Sequence, residues 1–287
     1  MFYFLHNFNP EPIMISFGLL KIYWYGFFIV LGFLSAFLVV LFLAKKYKIE
    51  RDFIVDLVFY SFIFGIIGAR IYDIFLEWPY YVQNPVDIFK IWQGGLAIHG
   101  AIIAGIVVIV FFAKKKNIKG LDDGFRKNLF RLGSIMVSGL ALGQAIGRWG
   151  NYFNQELFGR PTNLAWGIFI DPANRPLEYL NFNYFHPTFL YESLGCLVLF
   201  FFLISFHRLF IKRGINGFKS SFFLVASYFL FYSALRFFLE FIRIDFTPEV
   251  WGLRLPQIVS LVIFLFFFFY FLSFLDKRFF KFKKRIL

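Results

Sequence analysis

One cysteine, four histidines and 17 acidic residues are all that this chain of 287 residues offers for disulfide, metal or acidic chemistry. A single cysteine excludes a disulfide within the chain and supplies too few thiolates for a metal site. Cys196 lies in an apolar run and reads as a small buried side chain. His6, His99, His186 and His207 are scattered, without the His-Glu-x-x-His spacing of a zinc site. Neither a metal nor a cofactor is expected. Charged residues make up only 16% of the chain, against about 25% in soluble domains. No basic segment precedes the first apolar run, so that run is not expected to be a cleaved signal peptide. No internal repeat or low-complexity linker divides the chain, which reads as one integral-membrane domain over 1–287.

What the chain has in abundance is apolar surface. It is 60% hydrophobic and 24% aromatic, with 49 Phe and a mean hydropathy of +0.69. These residues come in long runs rather than alternating stripes. A bilayer core takes about 20 apolar residues per helix, and the runs predict about seven spans: 17–43, 53–75, 95–113, 129–147, 188–210, 220–243 and 256–275. The expected fold is an all-α polytopic membrane protein. The net charge of +13 would point to nucleic acid in a soluble chain, but its distribution points to the bilayer as partner, and no nucleic-acid partner is expected. Of the 30 Lys and Arg residues, 21 fall in the loops 45–51, 114–131 and 208–219 and in the tail 277–285. The positive-inside rule puts these in the cytoplasm, with the N-terminus extracytoplasmic and the C-terminus cytoplasmic. The stretch 148–187, broken by Pro161, Pro172 and Pro176, then forms a small extracytoplasmic lobe between spans four and five, with a short strand expected near 164–170.

Polar residues at membrane depth are costly and tend to mark function. They gather on the outer side. The apolar helices are expected to break at 147–160, Gly-Arg-Trp-Gly-Asn-Tyr-Phe-Asn-Gln-Glu-Leu-Phe-Gly-Arg. Gly139, Gly143 and Gly147 recur at four-residue spacing, a face for close helix approach. If that helix continues, Gln144, Arg148 and Asn151 share another narrow face. Near the end of the sixth span, Tyr232, Arg236, Glu240 and Arg243 fall within about 80° of one another at 100° per residue. Glu240 can pair with either arginine, and the three charges alone leave a net positive stripe. Two snorkelling arginines and a convenient acid are the plainer alternative. His99, at the start of the third span, is by itself as well explained as a core residue, and His186 is equally ambiguous.

Together these segments resemble the prolipoprotein diacylglyceryl transferase family. The resemblance is carried by Tyr25-Gly26, Gly68-Ala-Arg70, Gly94-Gly95 with His99-Gly100, and Gly147-Arg148-x-Gly150-Asn151 with Asn154-x-Glu156-x-x-Gly159. It continues in His186-Pro187-Thr188-x-x-Tyr191-Glu192 and Arg236-Phe-x-x-Glu240-Phe-x-Arg243. The pattern is departed from at Ala101 and Trp149. The resemblance implies a bacterial cytoplasmic (inner) membrane enzyme of lipoprotein maturation with its site on the extracytoplasmic side. It would transfer diacylglycerol from phosphatidylglycerol to the lipobox cysteine of prolipoproteins, forming a thioether and releasing glycerol phosphate. It further implies headgroup contact by Arg148, with Asn151, Glu156 and Gly159 as lipid-binding residues; Tyr232 and Arg243, on the helix face of Arg236, are expected to bind the lipid with them. His99, Arg236, Glu240 and Tyr25 are the implied catalytic set. In that scheme His99 is the candidate base, Arg148 and Arg236 hold the phosphate, and Glu156 and Glu240 orient arginines. Asn151 and Tyr25 donate to the headgroup or ester. A transporter or channel, or a non-catalytic lipid-binding protein, is the competing reading, since intramembrane Arg and Glu also line ion pathways.

Overall fold

The computed structural model describes residues 5, 6, 8–18, 20–122 and 124–274. The basic tail over 277–285, used above to place the C-terminus, lies outside the described residues. The architecture is predominantly helical, with eight α-helices among the described residues: α1 (Trp24–Lys46), α2 (Arg51–Leu76), α3 (Trp78–Gln83), α4 (Ile98–Ala113), α5 (Phe125–Phe153), α6 (Thr188–Lys212), α7 (Phe218–Leu239) and α8 (Leu255–Phe274). Six of these, α1, α2, α5, α6, α7 and α8, are long and apolar enough to cross a membrane. The remaining expected span, 95–113, is α4, which is apolar but has only 16 residues, about 24 Å at 1.5 Å per residue.

The fold is not all-α. Three two-stranded antiparallel hairpins interrupt it: β1 (Ile13–Phe17) with β2 (Leu20–Tyr23), β3 (Ile168–Phe169) with β4 (Tyr184–Phe185), and β5 (Glu249–Val250) with β6 (Leu253–Arg254). Residues 17–23 were expected in the first helix, but Phe17 pairs with Leu20 and Ser16 with Lys21, so the helix starts at Trp24. The strand expected near 164–170 is β3. Helix α4, the third expected span, starts at Ile98 rather than 95 because Gly94 and Gly95 take φ of +99° and +71°, a region that ends helices and favours glycine. The seventh helix stops at Leu239 rather than 243, because the backbone beyond it turns to pair with another segment: the Arg160 N–H donates to the Ile242 carbonyl at 2.8 Å.

The chain divides into two compact units, one formed by 1–38, 137–212 and 223–287, the other by 39–136 and 213–222. In the first, one core joins Val137 and Ala141 of α5 to Leu199 and Leu203 of α6 and to Leu224 and Tyr228 of α7. The small-residue face expected on α5 packs against α1: a Cβ on Gly32 would sit 2.8 Å from the Gly143 carbonyl oxygen, so only glycine permits that approach. A second core seals the lobe onto the helix ends, with Phe158, Ile168, Ile170 and Phe185 against Tyr152, Phe189 and Leu190. In the other unit, α2 and α4 cross at Gly68 and Gly100, where a Cβ on Gly100 would fall 2.1 Å from the Gly68 carbonyl oxygen. The Ala97 N–H donates to the Ala69 carbonyl at 3.1 Å beside that crossing. Phe59, Phe62, Phe64, Ile67 and Ile71 of α2 are exposed; such a band is untenable in water and suited to acyl chains.

Candidate active site

Helix α5 does not break at Gly147. It continues to Phe153, which keeps Gln144, Arg148 and Asn151 on the shared face that the sequence made conditional on that continuation. The chain turns only at Gln155 and Leu157, which take φ of +51° and +56°. Arg148 thereby stays in the bundle and reaches across to α6, where its Nη2 donates to Glu192 Oε1 at 2.8 Å. Its Nη1 donates to Asn151 Oδ1 at 3.2 Å, and Asn151 Nδ2 donates in turn to Glu156 Oε1 at 2.7 Å. Glu156 thus orients Asn151 rather than an arginine. Asn151 spends one donor on Glu156 and its carbonyl on Arg148, which positions Arg148 and uses one of the two N–H groups of its amide.

Glu192 is the hub. Its Oε1 also accepts from Tyr232 Oη at 2.9 Å, and its Oε2 pairs with Arg236 Nη1 at 3.3 Å. Arg236 Nη2 donates to Glu240 Oε1. Glu240 pairs further with Arg243 at 3.8 Å and, through Oε2, with Arg254 of β6 at 2.8 Å. Asp245 closes the chain of pairs, at 2.8 Å from Arg243 and 3.3 Å from Arg254. Partial burial pushes the Asp245 carboxyl up, but the hydrogen bond and charge of Arg243, with the charge of Arg254, outweigh it and hold the group below the usual carboxylate range. Four guanidiniums share three carboxylates here, and Glu156 is a fourth acid two hydrogen bonds from Arg148, through Asn151. The net positive stripe expected from Arg236, Glu240 and Arg243 alone is therefore neutralised on count.

Exposure restores an asymmetry that the count removes. The Glu192 and Glu240 side chains are 3% and 1% exposed, whereas those of Arg148 and Arg236 are 24% and 15% exposed. Glu192 and Glu240 are sealed, and the two arginines paired with them, Arg148 and Arg236, are partly exposed, whereas Arg243 and Arg254 are buried. Arg148 spends one N–H on Asn151 and one on Glu192, out of the five that a guanidinium carries. A planar fork held from behind by a carboxylate is suited to a bidentate grip on a phosphate.

The remaining expected residues are placed as follows. Gly159 forms an isolated antiparallel bridge to Arg243, and its N–H donates to the His186 carbonyl at 2.9 Å. A Cβ there would come within 2.7 Å of Ile242 and 2.9 Å of His186, so Gly159 is a joint that seats Arg243. Tyr25 packs over Gly150, where a Cβ would meet its Cα at 3.2 Å. His186 Nδ1 lies 3.1 Å from Tyr191 Oη, and burial lowers its pKa. Trp149, at one of the two departures from the family pattern, packs edge-on against Phe189 and lines a cleft of about 460 Å³ with Phe8, Asn9, Trp24 and Tyr152. His99 belongs to the other unit. It is exposed in the first turn of α4, with its ring 5.8 Å from that of Tyr72. The segment before it is held by Arg70, which donates to the carbonyls of Ile88, Gly94 and Gly95 at 2.8–2.9 Å and to that of Asp87.

Sequence reasoning missed Glu192, Arg254 and Asp245 as members of the network. For Glu192 a signal was present: a lone carboxylate inside an apolar run must find partners. Among the described residues, no cluster of three His, Cys, Asp or Glu side chains is placed to hold a metal.

Comparison with known proteins accords with this site. The profile of the prolipoprotein diacylglyceryl transferase family matches residues 12–273. A phosphatidylglycerol–prolipoprotein diacylglyceryl transferase of Staphylococcus aureus (strain MSSA476) is 38% identical over 257 residues, 89% of this chain and 86% of that protein. One from Nostoc sp. (strain PCC 7120 / SAG 25.82 / UTEX 2576) is 40% identical over 255 residues, 88% of this chain and 85% of that protein. With nearly the whole chain matched at that identity, and with Arg148, Glu192, Arg236 and Glu240 in one network, this chain belongs to the prolipoprotein diacylglyceryl transferase family.

Proposed function

We propose that this protein transfers the diacylglyceryl group of phosphatidylglycerol to the lipobox cysteine of prolipoproteins. The sulfur attacks the glyceryl carbon that carries the phosphate ester. A C–S bond forms, the C–O bond breaks, and the electron pair leaves with glycerol phosphate. The nucleophile belongs to the substrate, which suits a chain whose own cysteine is buried. A thiol has a pKa near about 8.5, so a base or a positive field must raise the thiolate fraction. His99 is the proposed acceptor of the thiol proton, on the chemistry of its ring.

The observation that carries this reading is the pair of partly exposed guanidiniums, Arg148 and Arg236, that share the sealed carboxylate of Glu192. They stay charged at any physiological pH and supply paired donors to a phosphate whose charge grows as the ester bond breaks. Asn151, Glu156, Tyr232, Glu240, Arg243 and Gly159 act by holding those two forks, and Tyr25, packed over Gly150, donates with Asn151 to the headgroup or the ester. The seven-span topology with α4 as the short member, the outward-facing lobe and N-terminus, the single catalytic domain over 1–287 and the bacterial cytoplasmic membrane belong to the same proposal.

The test is direct. Purified protein in phosphatidylglycerol bilayers, given a peptide with a lipobox cysteine, should add the mass of diacylglycerol and release glycerol phosphate. Serine in place of the peptide cysteine should block the addition. A peptide that gains no mass under these conditions sinks the proposal.

A further inference from the structure

Gln155 stands at the point where α5 ends, and its backbone occupies the left-handed region at φ +51°, which a long side chain rarely adopts. Its side chain is buried and bonded at every position that an amide offers. Nε2 donates to Asn9 Oδ1 at 2.9 Å and to the Pro10 carbonyl at 3.1 Å. Oε1 accepts from the Asp171 N–H at 2.6 Å and from Asn174 Nδ2 at 3.3 Å. Two donors and two acceptor positions are all that a glutamine has. One amide thus ties together the segment before β1, the end of α5 and the lobe.

The next residue is Glu156, whose N–H donates to the Asn151 carbonyl at 3.0 Å and whose carboxylate takes the Asn151 side chain, which in turn takes Arg148. The direction in which Glu156 leaves the helix end is set by the Gln155 backbone, and that backbone is held by the Gln155 amide. We propose that Gln155 is a positioning residue for phosphatidylglycerol binding, fixing Arg148 through Glu156 and Asn151 and coupling it to the N-terminal segment that Asn9 and Pro10 anchor. The proposal rests on the reading of Arg148 as the headgroup grip.

Gln155→Gly removes the amide but keeps the turn, because glycine accepts a positive φ without strain. Gln155→Asn is a second variant, tolerant of the left-handed region yet one methylene too short to reach both sides. Transfer rates are measured in bilayers while phosphatidylglycerol and the lipobox peptide are varied separately, alongside the thermal midpoint. Expected is a rise of about tenfold in KM for phosphatidylglycerol, with kcat and the peptide KM within about twofold. Combining Gln155→Gly with Glu156→Gln should add little, since both break one relay. An unchanged lipid KM, a fall in all parameters that tracks a lowered thermal midpoint, or full additivity with Glu156→Gln each overturns the proposal. Arg148→Ala, assayed in parallel, separates the two levels. A raised lipid KM there with none in Gln155→Gly overturns the Gln155 role alone. No rise in Arg148→Ala overturns the headgroup reading, and the Gln155 role with it.

Discussion

Glu192 is the side chain on which the site turns, because it is the shared counterion of Arg148 and Arg236 and is sealed from solvent. Glu192→Gln keeps the shape and removes the charge, leaving two guanidiniums to repel each other across a neutral amide. Removing one partner of a buried ion pair costs about 3–5 kcal/mol. The expected outcome is a loss of transfer of about 100-fold or more, with a lowered thermal midpoint. Arg148→Ala should lose transfer at least as fully while staying folded, since its side chain is partly exposed and the carboxylate it leaves keeps Arg236 and Tyr232. Transfer rate and thermal midpoint, measured together, separate the two, and a Glu192→Gln enzyme with the parent rate would remove the hub role. The sequence displayed half of this site. Arg236, Glu240 and Arg243 are legible as a ladder because helical neighbours recur at three and four residues. Glu192 signals only that it needs partners; which ones is not legible, because Arg148 and Arg236 each lie 44 residues away in the chain.

At the scale of elements, close helix crossings and the hairpin after α7 carry the testable consequences. The crossing of α2 and α4 has no room for a side chain at Gly100. Gly100→Val should cost about 1–3 kcal/mol through overpacking, seen as a lower thermal midpoint and as faster hydrogen exchange over 94–101. Exchange indistinguishable from the parent would show that the crossing relaxes freely. The Arg243–Asp245–Arg254 cluster fixes the turn that follows α7. The Asp245 carboxyl is held below its unfolded value, so its contribution is present above about pH 4 and is lost as pH falls through the depressed folded value. The parent should therefore lose stability over that acid window, and Asp245→Asn should lose less of it, measured by thermal midpoint against pH. Identical acid limbs would remove Asp245 from the account. The elements themselves were legible to different degrees. Long apolar runs marked α6 and α8 nearly to the residue. The start of α1 was misplaced because residues 17–23 are apolar enough for a span, yet they bond as a hairpin. The end of α5 was misplaced in the opposite direction, because the polar residues after Gly147 looked like a break until partners on α6 accounted for them.

For the molecule as a whole, the proposed orientation makes a clear forecast. The chain's one cysteine is buried, so cysteines placed one at a time can be labelled against a quiet background. Leu177→Cys, at an exposed lobe position, should react with an impermeant maleimide added to intact cells. Lys115→Cys, after α4, should react only once the membrane is opened. The reverse pattern would invert the topology. Composition and run length alone determined that this chain is a helical membrane protein, because burying backbone polar groups in lipid leaves a helix as the default and the apolar residues say where. The basic loops gave the orientation its basis, and the spacing of Tyr232, Arg236, Glu240 and Arg243 gave one wall of the site. Only the tertiary structure decided that α5 carries Arg148 onto Glu192, that Arg254 arrives from a hairpin to share Glu240, and that Glu192 and Glu240 are sealed while Arg148 and Arg236 stay partly exposed. Ion pairing acts through space over a few ångströms, and no local pattern in a chain records which distant segments the fold will bring that close.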